Sequence, residues 1–167
     1  MEMSENLFVI AQIAVAFAGF ASLVAVIGHR RGHDHPSWDA ARLEGMLRLS
    51  LFTGAFALLP FIPYQAGLSQ MTTWRLCAGL FAGSGVCTML YTIKRLRAVP
   101  NIRIATRWGF FWMSLSFSAQ GILAAASIGW IARPAAAYLF GLYAYLVLTG
   151  LIFLRLIKSL AAEQRQP

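Results

Sequence analysis

The chain has 167 residues, of which 59% are hydrophobic and only 12% are charged. This composition excludes an ordinary soluble domain, and the apolar residues fall in runs of about 20, the length that crosses a bilayer. The formal net charge of +8 then indicates membrane topology and contact with anionic lipid headgroups on the cytoplasmic side, not binding to nucleic acid. We therefore expect an all-α, polytopic integral membrane helical bundle of one domain, a multi-pass protein of the cell inner membrane.

Five transmembrane helices are predicted, at residues 7–28, 45–64, 74–93, 108–131 and 135–154. Before the first of them lie Glu2 and Glu5 and no basic residue, so we expect no cleavable signal peptide. Small residues recur along span one at alternating intervals of three and four: Ala11, Ala14, Ala18, Ala21, Ala25 and Gly28. Such an alanine seam favours close packing against another helix over the whole span.

Span two contains prolines that interrupt a helix, and span three contains a glycine pattern that favours close helix packing. Pro60 and Pro63 predict that span two bends or ends there, because proline lacks the N–H that a helix interior needs. Gly79 and Gly83 form a GxxxG pair in span three, a pattern typical of closely packed membrane helices.

Span four is interpreted as the centre of the bundle. On a helical wheel, Trp112 and Trp130 share one direction and lie about 27 Å apart, which predicts two interfacial anchors on a lipid-facing strip. Small and polar residues occupy two other arcs, predicted to be packing surfaces: Ser114, Ser118, Gly121, Ala125 and Gly129 on one, and Ser116, Gln120 and Ser127 on the other.

Gln120 is the polar residue nearest the middle of span four. If spans four and five form a hairpin centred near Arg133, Gln120 lies level with Tyr145, whose hydroxyl is a suitable partner for the amide. We expect a hydrogen bond between them, direct or through one water. An interhelical bond of this kind is the favoured interpretation, and a pore-lining or ligand-orienting amide is the alternative.

The orientation follows from the basic residues. Of the 14 lysines and arginines, all but Arg75 and Arg133 lie in the connections after spans one and three or in the C-terminal tail. The positive-inside rule then places the N-terminus outside and the C-terminus in the cytoplasm, which requires five spans.

Catalytic and metal sites are poorly supported. No charged residue or histidine lies deep within a predicted span, so we expect a non-enzymatic protein without a required cofactor. The sharpest metal candidate is the cytoplasmic loop with His29, His33, Asp34 and His35, whose donors suit zinc or nickel. Arg30 and Arg31 in the same loop repel a cation, which favours a loop that contacts anionic headgroups.

One face of span one suggests a pore. Away from the alanine seam, the sequence places an acid, an amide, an apolar middle and a base in one stripe: Glu5, Phe8, Gln12, Val15, Gly19, Val26 and Arg30. In a ring of identical helices this stripe would form an acidic mouth, a polar ring at Gln12 and an apolar constriction at Val15 and Val26.

The leading functional hypothesis is therefore a self-associating membrane protein, a homo-oligomer that either conducts small ions or serves as a scaffold. The alternative hypothesis is a metal-responsive accessory or transport protein that uses the His29–His35 loop.

Overall fold

In the computed structural model, which describes residues 4–30, 37–97 and 107–163, the chain is helical and that part contains no strand. The helices are α1 (Ser4–Arg30), α2 (Ser37–Leu58), α3 (Phe61–Gln65), α4 (Gln70–Arg97), α5 (Arg107–Ser127) and α6 (Pro134–Glu163). The all-α prediction is confirmed, and each predicted span overlaps one of the long helices. The predicted single domain is not tested and stays a prediction.

Within the described residues, three segments are long and apolar enough to cross a membrane: Ser4–Val26, Leu43–Gln65 and Pro134–Lys158. The second segment contains the predicted break, because α2 ends at Leu58 and α3 begins after Pro60. Proline therefore acts there as the sequence predicts.

The chain divides into two compact units. Unit 1 comprises Met1–Leu58 and Tyr145–Pro167, and thus holds α1, α2 and residues 145–163 of α6. Its core uses the alanine seam: Ala11, Ala14, Ala18 and Ala21 are buried, which confirms the predicted packing surface over these four residues, whereas Ala25 is half-buried and the surroundings of Gly28 lie outside the description. Ala14 lies 3.6 Å from the position that a Cβ at Gly54 would take, so α1 and α2 approach closely where both residues are small.

Unit 2 comprises Leu59–Ala144 and holds α3, α4, α5 and residues 134–144 of α6. Helices α4 and α5 are antiparallel, since Gly79 faces Ser127 near one end and Gly85 faces Gln120 further along. The tyrosine ring of Tyr138 fills the centre, fully buried and 5.5 Å from the ring of Trp74 and 5.6 Å from that of Phe81.

The predicted end of span four was wrong. Helix α5 ends at Ser127, and the chain turns through Gly129, whose φ of +88° suits glycine because it has no Cβ. Trp130 therefore lies beyond the helix, with 83% of its surface exposed, and does not share a helical strip with Trp112.

The prediction of which face of span four points outward was also wrong. Trp112 is half-buried with its indole nitrogen enclosed, whereas Ser114, Ser118 and Gly121 are exposed. The arc of small residues predicted to pack is thus the outer surface of α5 within this chain, and the Gln120 arc is the packing surface.

Candidate functional site

The first candidate site is the outer stripe of α1, defined as Glu5, Phe8, Gln12, Val15, Gly19 and Val26. All six residues are exposed, with Val15 at 65% and Val26 at 56%. Arg30, the predicted basic end of the stripe, lies in α1, but its side chain is outside the described residues.

Packing in unit 1 explains why this stripe faces outward. The alanine seam turns one side of α1 toward α2, and two aromatic rings of α1 contact the C-terminal part of α6. The centroids of Phe17 and Phe20 lie 5.9 and 5.8 Å from that of Phe153. With these two sides covered, the stripe is the side of α1 that unit 1 leaves open.

Gln12 is the polar member of the stripe that is hardest to reconcile with lipid. It lies about 12 Å along α1 from Ser4, at 1.5 Å per residue, among exposed apolar neighbours such as Phe8, Val9 and Val15. Its amide makes no hydrogen bond with any described residue. Burying an unpaired amide in an apolar medium costs about 1–3 kcal/mol, so a partner outside this chain would stabilise it.

Gln120 occupies the opposite environment. Its side chain is 5% exposed and lies against the backbone of α4 at Gly85, where an added Cβ would come within 2.7 Å of Oε1. A glycine is therefore required at position 85 for the amide to keep this place.

The predicted partner, Tyr145, is also buried, and its ring stacks on Phe52 of α2 with centroids 5.5 Å apart. Gln120 belongs to unit 2 and Tyr145 to unit 1. The hydrogen bond between them is not tested and stays a prediction.

Gly85 is the residue that the sequence analysis missed. Only one glycine of the predicted GxxxG pair lies at a close contact. A Cβ added at Gly79 would lie 3.4 Å from the Ser127 Cβ, but a Cβ at Gly83 would meet nothing within 4 Å. Ala78 and Ala82 are buried on the same side as Gly85, so a small-residue row with four- and three-residue spacing was the available signal.

Most of the predicted metal-binding loop lies outside the described residues. His33, Asp34 and His35 are not described, and of His29 only the backbone is, as part of α1. Among the residues that are described, no group of three histidine, cysteine, aspartate or glutamate side chains is placed to hold a metal. The zinc or nickel site therefore stays a prediction.

Comparison with known proteins adds no assignment, since no protein family, curated protein or solved structure matches the chain.

Proposed function

We propose that this protein is a non-enzymatic, multi-pass membrane protein that self-associates through the outer stripe of α1. The observation that carries the proposal is the exposed Gln12 amide among apolar and small residues, from Phe8 to Val26, on the outward face of a helix long enough to cross a bilayer. A second copy of the chain is a suitable partner, because an amide both donates and accepts and is therefore complementary to itself.

The proposal takes α4 and α5 as membrane spans in addition to the three apolar segments. They have 28 and 21 residues, and a span needs about 20. Both expose large apolar side chains along their length, among them Leu76, Leu80, Leu90, Phe111 and Phe117. Lipid or another copy would cover this surface.

With five spans, the basic residues put the N-terminus outside and the C-terminus in the cytoplasm, in the inner membrane. Cysteines introduced at Ser69 and Arg133 should then react with an impermeant thiol reagent in intact cells. Cysteines at Ser37 and Asn101 should react only after the membrane is opened. Labelling of position 101 from outside would exclude the five-span topology.

The functional form of the assembly is proposed to be a ring that conducts small ions. In such a ring Glu5 supplies an acidic mouth, Gln12 a polar ring, and Val15 and Val26 an apolar constriction that gates by dewetting. The exposure of all four residues within the single chain supports this arrangement, because a pore-lining side chain must not be used in the protein's own core.

Ion flux in liposomes containing the purified protein tests conduction. Val15→Ser should raise the flux, because a smaller polar side chain wets the constriction. Val147→Ser is the matched control, since Val147 is also exposed, at 52% against 65% for Val15, but lies on α6. An assembled protein whose flux does not change with Val15→Ser would be a scaffold and not a pore.

A further inference from the structure

Unit 2 places the amino termini of two long helices at one end. Helices α4 and α6 run parallel there, because Trp74 contacts Tyr138 and Phe81, further along α4, approaches Gly141, further along α6. The amino end of a helix carries a partial positive charge, so both macrodipoles favour an anion at this end.

Two arginines lie at the same end, and their charge is uncompensated. The Arg75 guanidinium rests on the turn after α5, with Nη2 3.1 Å from the position of a Cβ at Gly129, and Arg133 directly precedes α6. Both are exposed, and neither side chain makes a hydrogen bond or ion pair with a described residue. Residues 59–144 contain no aspartate or glutamate at all, so the counter-ion must come from outside unit 2.

The first turns of α4 contribute two buried polar groups that lack a partner. The Trp74 indole nitrogen and the Thr73 hydroxyl are fully enclosed, in residues that are only 2% and 0% exposed, and make no hydrogen bond with a described residue. The Trp74 ring lies between α4 and the second turn of α6. Buried donors of this kind are normally satisfied, so an acceptor that reaches the amino end of α4 would complete both groups.

We propose that this end of unit 2, called here the Arg75 end, binds the phosphate of an anionic phospholipid headgroup. Arg75 and Arg133 would neutralise the phosphate charge, and the Trp74 N–H and the Thr73 hydroxyl would donate hydrogen bonds to its oxygens.

The surroundings favour a lipid over free phosphate as the source. Ile128 and Trp130 flank Gly129 in the turn and are 63% and 83% exposed. An exposed tryptophan and an apolar side chain beside arginines are typical of the headgroup region, where the acyl chains attached to a bound phosphate would extend along unit 2.

Lipid binding by the full chain in a zwitterionic detergent tests the inference. Phosphatidylglycerol should raise the Tm and be retained in native mass spectra, whereas phosphatidylcholine and inorganic phosphate should do neither. Trp74→Phe keeps an aromatic ring and removes the N–H, and Arg75→Gln removes an exposed charge. Each should weaken the apparent affinity for phosphatidylglycerol about tenfold, the usual effect of losing a hydrogen bond or contact to a charged group.

Trp112→Phe is the matched control, because its indole nitrogen is likewise buried without a partner but lies about 22 Å along α5 from Ser127. It should bind phosphatidylglycerol as the wild type does. Equal affinity in all three variants, or equal binding of phosphatidylcholine, would overturn the proposal. A Tm rise with inorganic phosphate as large as with the lipid would overturn the lipid assignment.

Discussion

Two glutamines in apolar helices, Gln12 and Gln120, have opposite environments. The Gln120 amide is buried against the backbone of α4 at Gly85, whereas the Gln12 amide points away from unit 1 and bonds to no described residue. The residues next to each glutamine in the sequence are small or apolar. The comparison shows that a glutamine in an apolar helix is buried where a neighbouring helix supplies a glycine at its level.

Gln12 has a different environment because the small residues of α1 already pack within unit 1. The buried alanines form one side of the helix, and Gln12 lies on the other, where its side chain is exposed. A second copy of the chain is then a suitable partner for the Gln12 amide, which is the basis of the proposed self-association.

The largest effect is expected from Gly85→Val, which removes the space that holds the Gln120 amide. Because the buried amide would have to move, this overpacking should lower the free energy of unfolding by up to about 3 kcal/mol, measured by denaturant titration in detergent. Gly83→Val is the matched control, since a Cβ there meets nothing within 4 Å, and it should have little effect.

The same comparison can be sharpened with a double variant. If Gly85→Val acts through the amide, adding Gln120→Ala should recover part of the lost stability, and the two changes should not be additive. Equal destabilisation by valine at 83 and 85 would contradict the environment described for Gln120.

A smaller loss is expected in unit 1 from Ala14→Leu. Ala14 is fully buried, and its Cβ lies 3.6 Å from the position that a Cβ at Gly54 would take, so the larger side chain should cost about 2 kcal/mol of stability. Ala16→Leu, on the exposed side of α1, should be nearly neutral. If leucine is tolerated equally at both positions, the seam does not hold α1 and α2 together.

Patterns within one helix were predicted well from the sequence, and contacts between helices were predicted less well. The alanine seam and the break at Pro60 depend on local spacing and on proline chemistry, and both are confirmed. The hydrogen-bond partner of Gln120 and the lining of a pore depend on packing between units or copies, and these stay predictions.

The errors on span four have a physical cause. A helical wheel assumes that the helix continues, but Gly129 adopts a positive φ and moves Trp130 out of register. Small residues such as Ser118 and Gly121 allow close packing without requiring it, so composition alone did not distinguish the outer arc from the inner one.

The smallest effect is expected from Gln12→Leu, because an interhelical hydrogen bond in a membrane is worth about 0.6 kcal/mol. The dissociation constant of the assembly should rise about three- to tenfold, depending on how many amide bonds each contact contains, as measured by fluorescence energy transfer in liposomes. Ser22→Ala is the control, since the Ser22 hydroxyl already donates to the Ala18 carbonyl at 2.9 Å. An unchanged constant in Gln12→Leu would show that the amide does not contribute.

Disulfide cross-linking at Gly19 tests the central claim, self-association through the outer stripe of α1, most directly. Gly19 and Gly83 are exposed, and a Cβ at either meets nothing within 4 Å, so cysteine fits at both. In a background with Cys77→Ala and Cys87→Ala, Gly19→Cys retains Gln12 and should form covalent dimers in the membrane on mild oxidation, whereas Gly83→Cys should not. Monomeric Gly19→Cys, or equal dimer formation at position 83, would contradict the account, because a disulfide requires Cα atoms within about 7 Å of each other.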